Sequence, residues 1–291
     1  MHFENKVAAI TGAGSGIGRA LARSLARRRC HLALSDIHEA GLLETAEDLR
    51  DTGVRITTEV LDVARREAVH AWADAAAADH GKVNLVFNNA GVALGSTVED
   101  ASYADLEWIM GINFWGVVYG TKAFLPHLKA SGDGHVVNIS SVLGLFSAPT
   151  QGAYNASKFA VRGFTESLRQ EMELLGEPVG VTCVHPGGIK TNIAKTARIS
   201  PKTADNVLGD PQKGREAFER AFRTTPEKAA EIILKAVAKN RRRALVGFDA
   251  VILEWLVRLL PTAHQRLITA ATRKVVKGTA SKASGPTAPT T

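Results

Sequence analysis

The apolar positions of this chain change period as they run. Residues 7–11 and 31–35 are short, near-continuous apolar runs of the kind that form buried strands. Between them, 16–29 carries Ile17, Leu21 and Leu25 four apart, which places them on one helical face. The alternation continues with a helix over 39–52, a strand over 54–61 and an alanine-rich helix over 65–81. A strand at 84–87, a long helix over 103–128, a strand at 135–139, a helix over 154–175 and a strand at 179–184 follow. Strands alternating with amphipathic helices predict an α/β fold, a doubly wound parallel sheet covered by helices on both faces and joined by right-handed crossovers. Beyond it the pattern breaks. Residues 189–223 are polar and turn-rich between 200 and 214, and are expected to be a substrate lid or a surface insertion. A helix over 226–240 and a strand over 244–248 complete a domain placed at 1–249. Residues 250–277 predict a helical C-terminal extension, two helices parted by Pro261. The Gly-, Ser-, Thr-, Ala- and Pro-rich segment 278–291 predicts a disordered tail.

Composition narrows the class. The 291 residues are 45% hydrophobic and 22% charged, an ordinary globular balance that excludes a collagen or a low-complexity polymer. The apolar stretch 250–260 is too short for a bilayer span, and Glu254 and Arg258 interrupt it. Residues 1–6 are polar and run directly into a strand-like segment, which is not the pattern of a secretory leader. Two cysteines, Cys30 and Cys183, are too few for a disulfide framework or a structural zinc site, so a reduced, cytoplasmic setting without a metal is expected. The net charge of +7 is unevenly placed: from Arg258 onward there are six basic residues and no acidic one, which leaves +1 for the 257 residues before. A weak contact with an anionic membrane surface is one expectation for that region and a merely solvated tail is the other; nucleic acid is not expected as a partner.

The sequence Thr11-Gly-Ala-Gly-Ser-Gly-Ile-Gly18 follows the first strand and opens the first helix. Gly12, Gly16 and Gly18 permit a sharp turn and a close approach of backbone to a pyrophosphate, while Ser15 and Ile17 lie in the same turn. The helix N-terminus offers unpaired N–H groups and the positive end of its dipole to that anion. This is a dinucleotide site on a Rossmann-like sheet. Asp36 ends the second strand, where a carboxylate accepts hydrogen bonds from ribose hydroxyls and repels a 2′-phosphate; NAD is therefore favoured over NADP.

Further motifs follow in order: Asp62-Val63 after the third strand, Asn88-Asn89-Ala90-Gly91 after the fourth, Asn113 in the long helix, Ser141 after the fifth strand, Tyr154-Asn-Ala-Ser-Lys158, then Pro186-Gly187 and Thr191. Together with TGAGSGIG, the set over residues 5–192 resembles the short-chain dehydrogenase/reductase family. The resemblance implies an oxidoreductase acting on an alcohol or carbonyl, with Asn113, Ser141, Tyr154 and Lys158 as catalytic residues. It implies that Asp62 and Val63 lie beside the adenine and that Asn89, Ala90 and Gly91 pass the adenosine side and the nicotinamide ribose. Lys158 would also bond that ribose, and Pro186, Gly187, Ile189 and Thr191 would line the carboxamide end. It assigns Asn113 to a water-mediated proton relay reaching Lys158, and suggests a homo-oligomer, a dimer or a tetramer.

The residue types suit that chemistry. Tyr154 and Lys158 are four apart on a helix and share a face. A tyrosine with a pKa of about 10 is a poor base near neutrality, and a neighbouring ammonium is expected to lower it. Tyr154 then takes the alcohol proton or returns it to a carbonyl oxygen, and Ser141 hydrogen-bonds that oxygen. Ser140 competes with Ser141, whose spacing to Tyr154 fits the family pattern. Val142, Leu143, Leu145, Phe146, Ile193, Ile199, Val207 and Leu208 offer an apolar wall for a lipophilic secondary alcohol or ketone, or they pack the lid on the body.

Overall fold

The computed structural model describes residues 1–193, 196–204 and 223–280, with side chains described as far as Arg273. Its sheet has seven strands, all parallel: β1 (Val7–Thr11), β2 (His31–Asp36), β3 (Ile56–Val60), β4 (Leu85–Asn88), β6 (Gly134–Ile139), β7 (Val179–Pro186) and β9 (Arg243–Val246), in the order β3-β2-β1-β4-β6-β7-β9. The order reverses between β1 and β4, and the glycine turn lies at that switch point, where ligands bind in open α/β sheets.

Strand alternation divides the core into two layers. Ala8 and Ile10 of β1 face one side, where they join α1 (Gly16–Ala26), Leu42 of α2 (Glu39–Glu47) and the apolar face of α7 (Pro226–Ala238). Val7 and Ala9 face the other, against α3 (Arg66–His80), α5 (Gly116–Ala130) and α6 (Gly152–Leu174). Each face is sealed by helices, as near-continuous apolar strands require.

Three local departures from the sequence reading have physical causes. The helix expected over 39–52 ends at Glu47 and resumes as a 3-10 turn, Arg50–Thr52, where the Thr52 hydroxyl bonds the Leu49 carbonyl and Gly53 stops the turn at φ 73°. The long helix over 103–128 is α4 (Tyr103–Met110) and α5 joined by a π turn, Gly111–Trp115, with Asn113 fully buried inside it. A third element, the two-residue pairing of β5 (Leu94–Gly95) with β8 (Arg198–Ile199), joins the segment after β4 to the start of the region expected to be a lid. That small sheet has no sequence signal of its own. Residues 194–195 and 205–222 of that region, including Val207 and Leu208, lie outside the described residues.

The C-terminal extension is α8 (Phe248–Leu259) and α9 (His264–Ala280). Helix α9 is described through Ala280. The remainder of the segment expected to be a disordered tail lies outside the described residues. No described helix is long and apolar enough to cross a membrane.

Candidate active site

The glycine turn takes the shape its spacing implies. Gly12 and Gly16 have φ values of 66° and 51°, a conformation costly for any residue with a side chain. At Gly18 a Cβ would overlap the Gly12 carbonyl oxygen, so helix and strand meet at backbone distance. Ser15 precedes α1 with no side-chain cap, and the first turn of α1 has no acidic residue. The backbone N–H groups of that turn are thus left to an anion. This cradle fits a dinucleotide pyrophosphate.

Asp36 stands beside the glycine turn. Its carboxylate accepts from Gly14 N at 2.8 Å and from His38 N at 2.9 Å, so it both braces the glycine turn and folds the start of α2. A nearby cation, Arg19, is already engaged: it donates to the Gly14 carbonyl at 2.6 Å and to both oxygens of Glu44 at 2.9 and 2.8 Å. The guanidinium in turn holds the Glu44 carboxyl below the usual range. The sequence reading missed Arg19; basic residues on a first helix are common, and only the fold brings this one to the turn.

The Asn-Asn-Ala-Gly segment is tied to the same turn. Thr11 Oγ1 accepts from Asn89 N and Ala90 N at 2.9 and 3.0 Å, and Asn89 Nδ2 donates to the Thr11 and Gly12 carbonyls at 2.9 and 3.2 Å. The Asn89 side chain therefore shapes the turn, leaving backbone to face a cofactor. At Gly91 a Cβ would lie 3.2 Å from Asn113 Oδ1 and 3.5 Å from Lys158 Nζ, which places that glycine directly against two of the expected catalytic residues. Asp62 accepts from Ala64 N at 2.9 Å as a turn residue. Val63 is buried, and a Cβ on Gly116 would press on its side chain.

Asn113, Ser141, Tyr154 and Lys158 come from α5's π turn, the end of β6 and the first two turns of α6. The Asn113 side chain is engaged at both ends: its Oδ1 accepts from Val92 N at 2.8 Å, and its Nδ2 donates to Val92 O at 3.0 Å and Ser157 Oγ at 3.2 Å. The π turn is what aims it there. Such turns recur at functional positions because the extra residue redirects backbone groups. Lys158 is buried, donates to the Ile139 carbonyl at 3.1 Å, and lies 5.7 Å from the centre of the Tyr154 ring. Burial brings its pKa down to about 8. Ser140 and Ser141 are now distinguished. Ser140 Oγ donates to the Lys158 carbonyl at 2.8 Å and pins α6 to the sheet, whereas Ser141 faces the Tyr154 hydroxyl and accepts from Leu143 N at 3.1 Å.

One expectation is reversed. The Tyr154 phenol is pushed above its ordinary value, not below it, because burial disfavours the phenolate; the hydrogen bond with Ser141 works the other way and is the smaller effect. The Lys158 ammonium is itself desolvated and engaged with a carbonyl.

At the far end, Pro186 closes β7 and Gly187 N donates to Val246 O at 2.9 Å. Ile189 is buried in the sheet core, and Thr191 lies against the glycine turn, its Cγ2 3.1 Å from where a Gly16 Cβ would stand. Thr191 begins no helix within the described residues.

His185 also touches the site. Its Nδ1 lies 2.9 Å from the Ser141 carbonyl, which can only accept, so Nδ1 carries the proton and the Nε2 lone pair is buried without a partner. Burial lowers its pKa to about 4, and that of His135, bonded to Thr182 Oγ1 at 2.8 Å, to about 3. Partly buried His80 shifts in the same direction. Their folded pKa values lie below the unfolded value of about 6.5, so the stability they confer is present above that pH and is lost as pH falls towards the folded values. Between about pH 6 and 5, above the carboxylate range, His135 and His185 together should remove roughly 2 kcal/mol of unfolding free energy. Urea titrations across that window should show the slope, and His135→Gln should flatten it by about half. An unchanged slope in the variant rejects this assignment.

The family model described as short chain dehydrogenase matches residues 6–202. The oxidoreductase-named SadH of Mycobacterium tuberculosis is 52% identical over 94% of this chain and 97% of its own. Among solved structures, a short-chain dehydrogenase/reductase from Burkholderia phymatum in complex with NAD is 34% identical, covers 91% of this chain and 97% of its own, and superposes with a TM-score of 0.82. The alcohol dehydrogenase of Thermococcus sibiricus, complexed with 5-hydroxy-NADP, is 27% identical over 82% of this chain and 95% of its own, with a TM-score of 0.69. With the glycine turn at the switch point of a seven-stranded parallel sheet, these likenesses establish that the chain belongs to the short-chain dehydrogenase/reductase family and is an oxidoreductase of that family.

Proposed function

We propose that this protein transfers hydride between NAD(H) and a lipophilic secondary alcohol or ketone, with Tyr154 exchanging the substrate's hydroxyl proton. The observation that carries the reading is the convergence of the Tyr154 hydroxyl, Ser141 and the buried Lys158 ammonium beside a backbone cradle shaped for a dinucleotide. The nicotinamide, when bound, supplies the hydride acceptor or donor. Ser141 holds the substrate oxygen on which charge develops, and Tyr154 gives or takes the proton at that oxygen. Lys158, with an ammonium already easy to deprotonate, passes the proton onward or holds charge beneath the phenol. The Asn113 side chain supports this by fixing Val92 and Ser157 around them. Asn113 would serve any water relay through its backbone.

Preference for NAD rests on Asp36, whose carboxylate beside the glycine turn would meet the ribose hydroxyls, while Glu44 neutralises the nearest guanidinium. An NADP(H)-linked reductase is the second reading, and Arg19 is the observation that favours it. Titration of nicotinamide fluorescence with NADH and NADPH separates the two. We expect tighter NADH binding, and Asp36→Ala with Ile37→Arg should shift the affinity ratio towards NADPH by at least about tenfold, the loss of one repulsion and the gain of one ion pair. NADPH preference in the native chain rejects the Asp36 reading. Binding of neither would favour a non-catalytic regulator of the same fold.

The lipophilic substrate class rests on the segment after Ser141. Val142 and Phe146 are buried with Leu143 beside them, against Leu245, Ala250, Leu253, Val257 and Ile268. The C-terminal helices thus pack on the segment that follows Ser141 through apolar groups.

A further inference from the structure

Helix α8 carries apolar residues on both sides, with Ala250, Leu253 and Val257 turned to the body. Its inward face carries Glu254, buried and bound to Arg243 at 2.6 Å and to Arg258 at 3.0 and 2.8 Å. Its outward face is apolar. Phe248, Ile252, Trp255 and Leu259 recur at helical spacing along one stripe and are 79%, 51%, 60% and 72% exposed. Single exposed apolar residues are ordinary, but a continuous aromatic-aliphatic stripe marks a contact surface. Helix α9 presents a complementary pattern. His264 and Ile268 face the body, while Arg266 and Arg273, seven apart, are exposed on the opposite side.

We propose that this face is a docking surface for an anionic phospholipid bilayer, with the α8 stripe buried at the headgroup boundary and Arg266 and Arg273 of α9 on the lipid phosphates. Charge decides the occupant. From Arg258 to the last residue the sequence has six basic residues and no acidic one. Arg266 and Arg273 are exposed on a segment with no acidic residue to neutralise them, so an anionic surface attracts this face while a second copy presents it with like charge. A Trp, a Phe and long aliphatic residues beside a basic flank are what an interfacial helix needs.

The surface is also coupled to the site. The inner side of α8 packs on Val142, Leu143 and Phe146, and Asp249 in its first turn accepts from Gly188 N at 2.6 Å, just past the end of β7. A protein seated on this face would have its substrate segment next to the bilayer. The inference stands on surface chemistry and does not need the substrate reading to be correct.

Flotation of the full chain with vesicles tests it, comparing phosphatidylcholine alone with vesicles containing roughly one-third phosphatidylglycerol. The native chain should float with the anionic vesicles, with a blue shift in tryptophan emission, and should leave them as salt rises. Arg266→Glu with Arg273→Glu, and separately Trp255→Ser with Leu259→Ser, should each lower partitioning by at least about tenfold. All four positions are exposed, so the variants should keep the native melting temperature and NADH affinity. Failure to bind anionic vesicles, equal binding to neutral ones, or undiminished binding by folded variants overturns the proposal. So does a dimer, seen by sedimentation velocity, that Trp255→Ser with Leu259→Ser dissociates, since that gives the face to a second copy.

Discussion

Tyr154→Phe should retain NADH affinity within about twofold and lose about a thousandfold in kcat, the central range for removing a positioned acid or base. The substitution deletes one hydroxyl and keeps the ring, which packs with Leu94, Ile109 and Ala153. Fold and cradle are therefore undisturbed, and the loss falls on the chemical step. The raised phenol pKa gives the reaction a direction in pH. In the carbonyl-reducing direction the protonated phenol is the active form, so kcat for reduction should be flat through neutrality and fall only at high pH. In the alcohol-oxidising direction activity should rise with pH. Single-turnover rates on a confirmed substrate measure both, and native turnover in the phenylalanine variant would remove Tyr154 from the mechanism.

Lys158→Met should separate stability from activity. Folding takes the ammonium out of water, and its fall from 10.5 to about 8 corresponds to about 3 kcal/mol of destabilisation at neutral pH. The sign follows from proton uptake. Between about pH 8 and 10.5 the unfolded lysine holds a proton that the folded one has released, so stability rises with pH there. Methionine fills similar volume without charge, though it leaves the Ile139 carbonyl without its partner, a cost of about 1–2 kcal/mol. The variant should thus be more stable than the native chain at pH 7 by about 1–2 kcal/mol while losing about a hundredfold or more in kcat. Denaturant unfolding with parallel kinetics checks this. A large loss of stability would make Lys158 a structural tie between α6 and β6 rather than a residue kept for chemistry at a cost to the fold.

Much of the site was legible because its chemistry depends on backbone geometry that only certain residues permit. Gly12, Gly16 and Gly18 are required by a positive φ or by a helix and strand in backbone contact, and such needs leave a mark in any sequence. Tyr154 and Lys158 were legible for a similar reason, since a spacing of four on a helix fixes their common face whatever surrounds it. Less accessible were properties that depend on what packs nearby. Whether Ser140 or Ser141 faces Tyr154 is settled by the carbonyl of Lys158, which captures Ser140. The direction of the Tyr154 shift follows from desolvation, and no motif reports how much water a side chain loses. The π turn around Asn113 arises from interactions with Val92 and Ser157, distant in sequence, so local propensity reads α4 and α5 as one helix.

The sequence by itself determined the layered α/β architecture, the position of the glycine turn and the candidates for the reacting side chains, because each follows from local periodicity or short-range spacing. Tertiary structure decided the pairing of β5 with β8, the engagement of Arg19 by Glu44, the contact of His185 with Ser141, and the orientation of α8. In that helix polar and apolar positions have a clear period, but period alone does not say which side faces the protein. Arg243, eleven residues earlier on an edge strand, holds Glu254 inward beside Ala250, Leu253 and Val257, which pack on the segment after Ser141, and the second apolar side, the aromatic stripe, is left facing out.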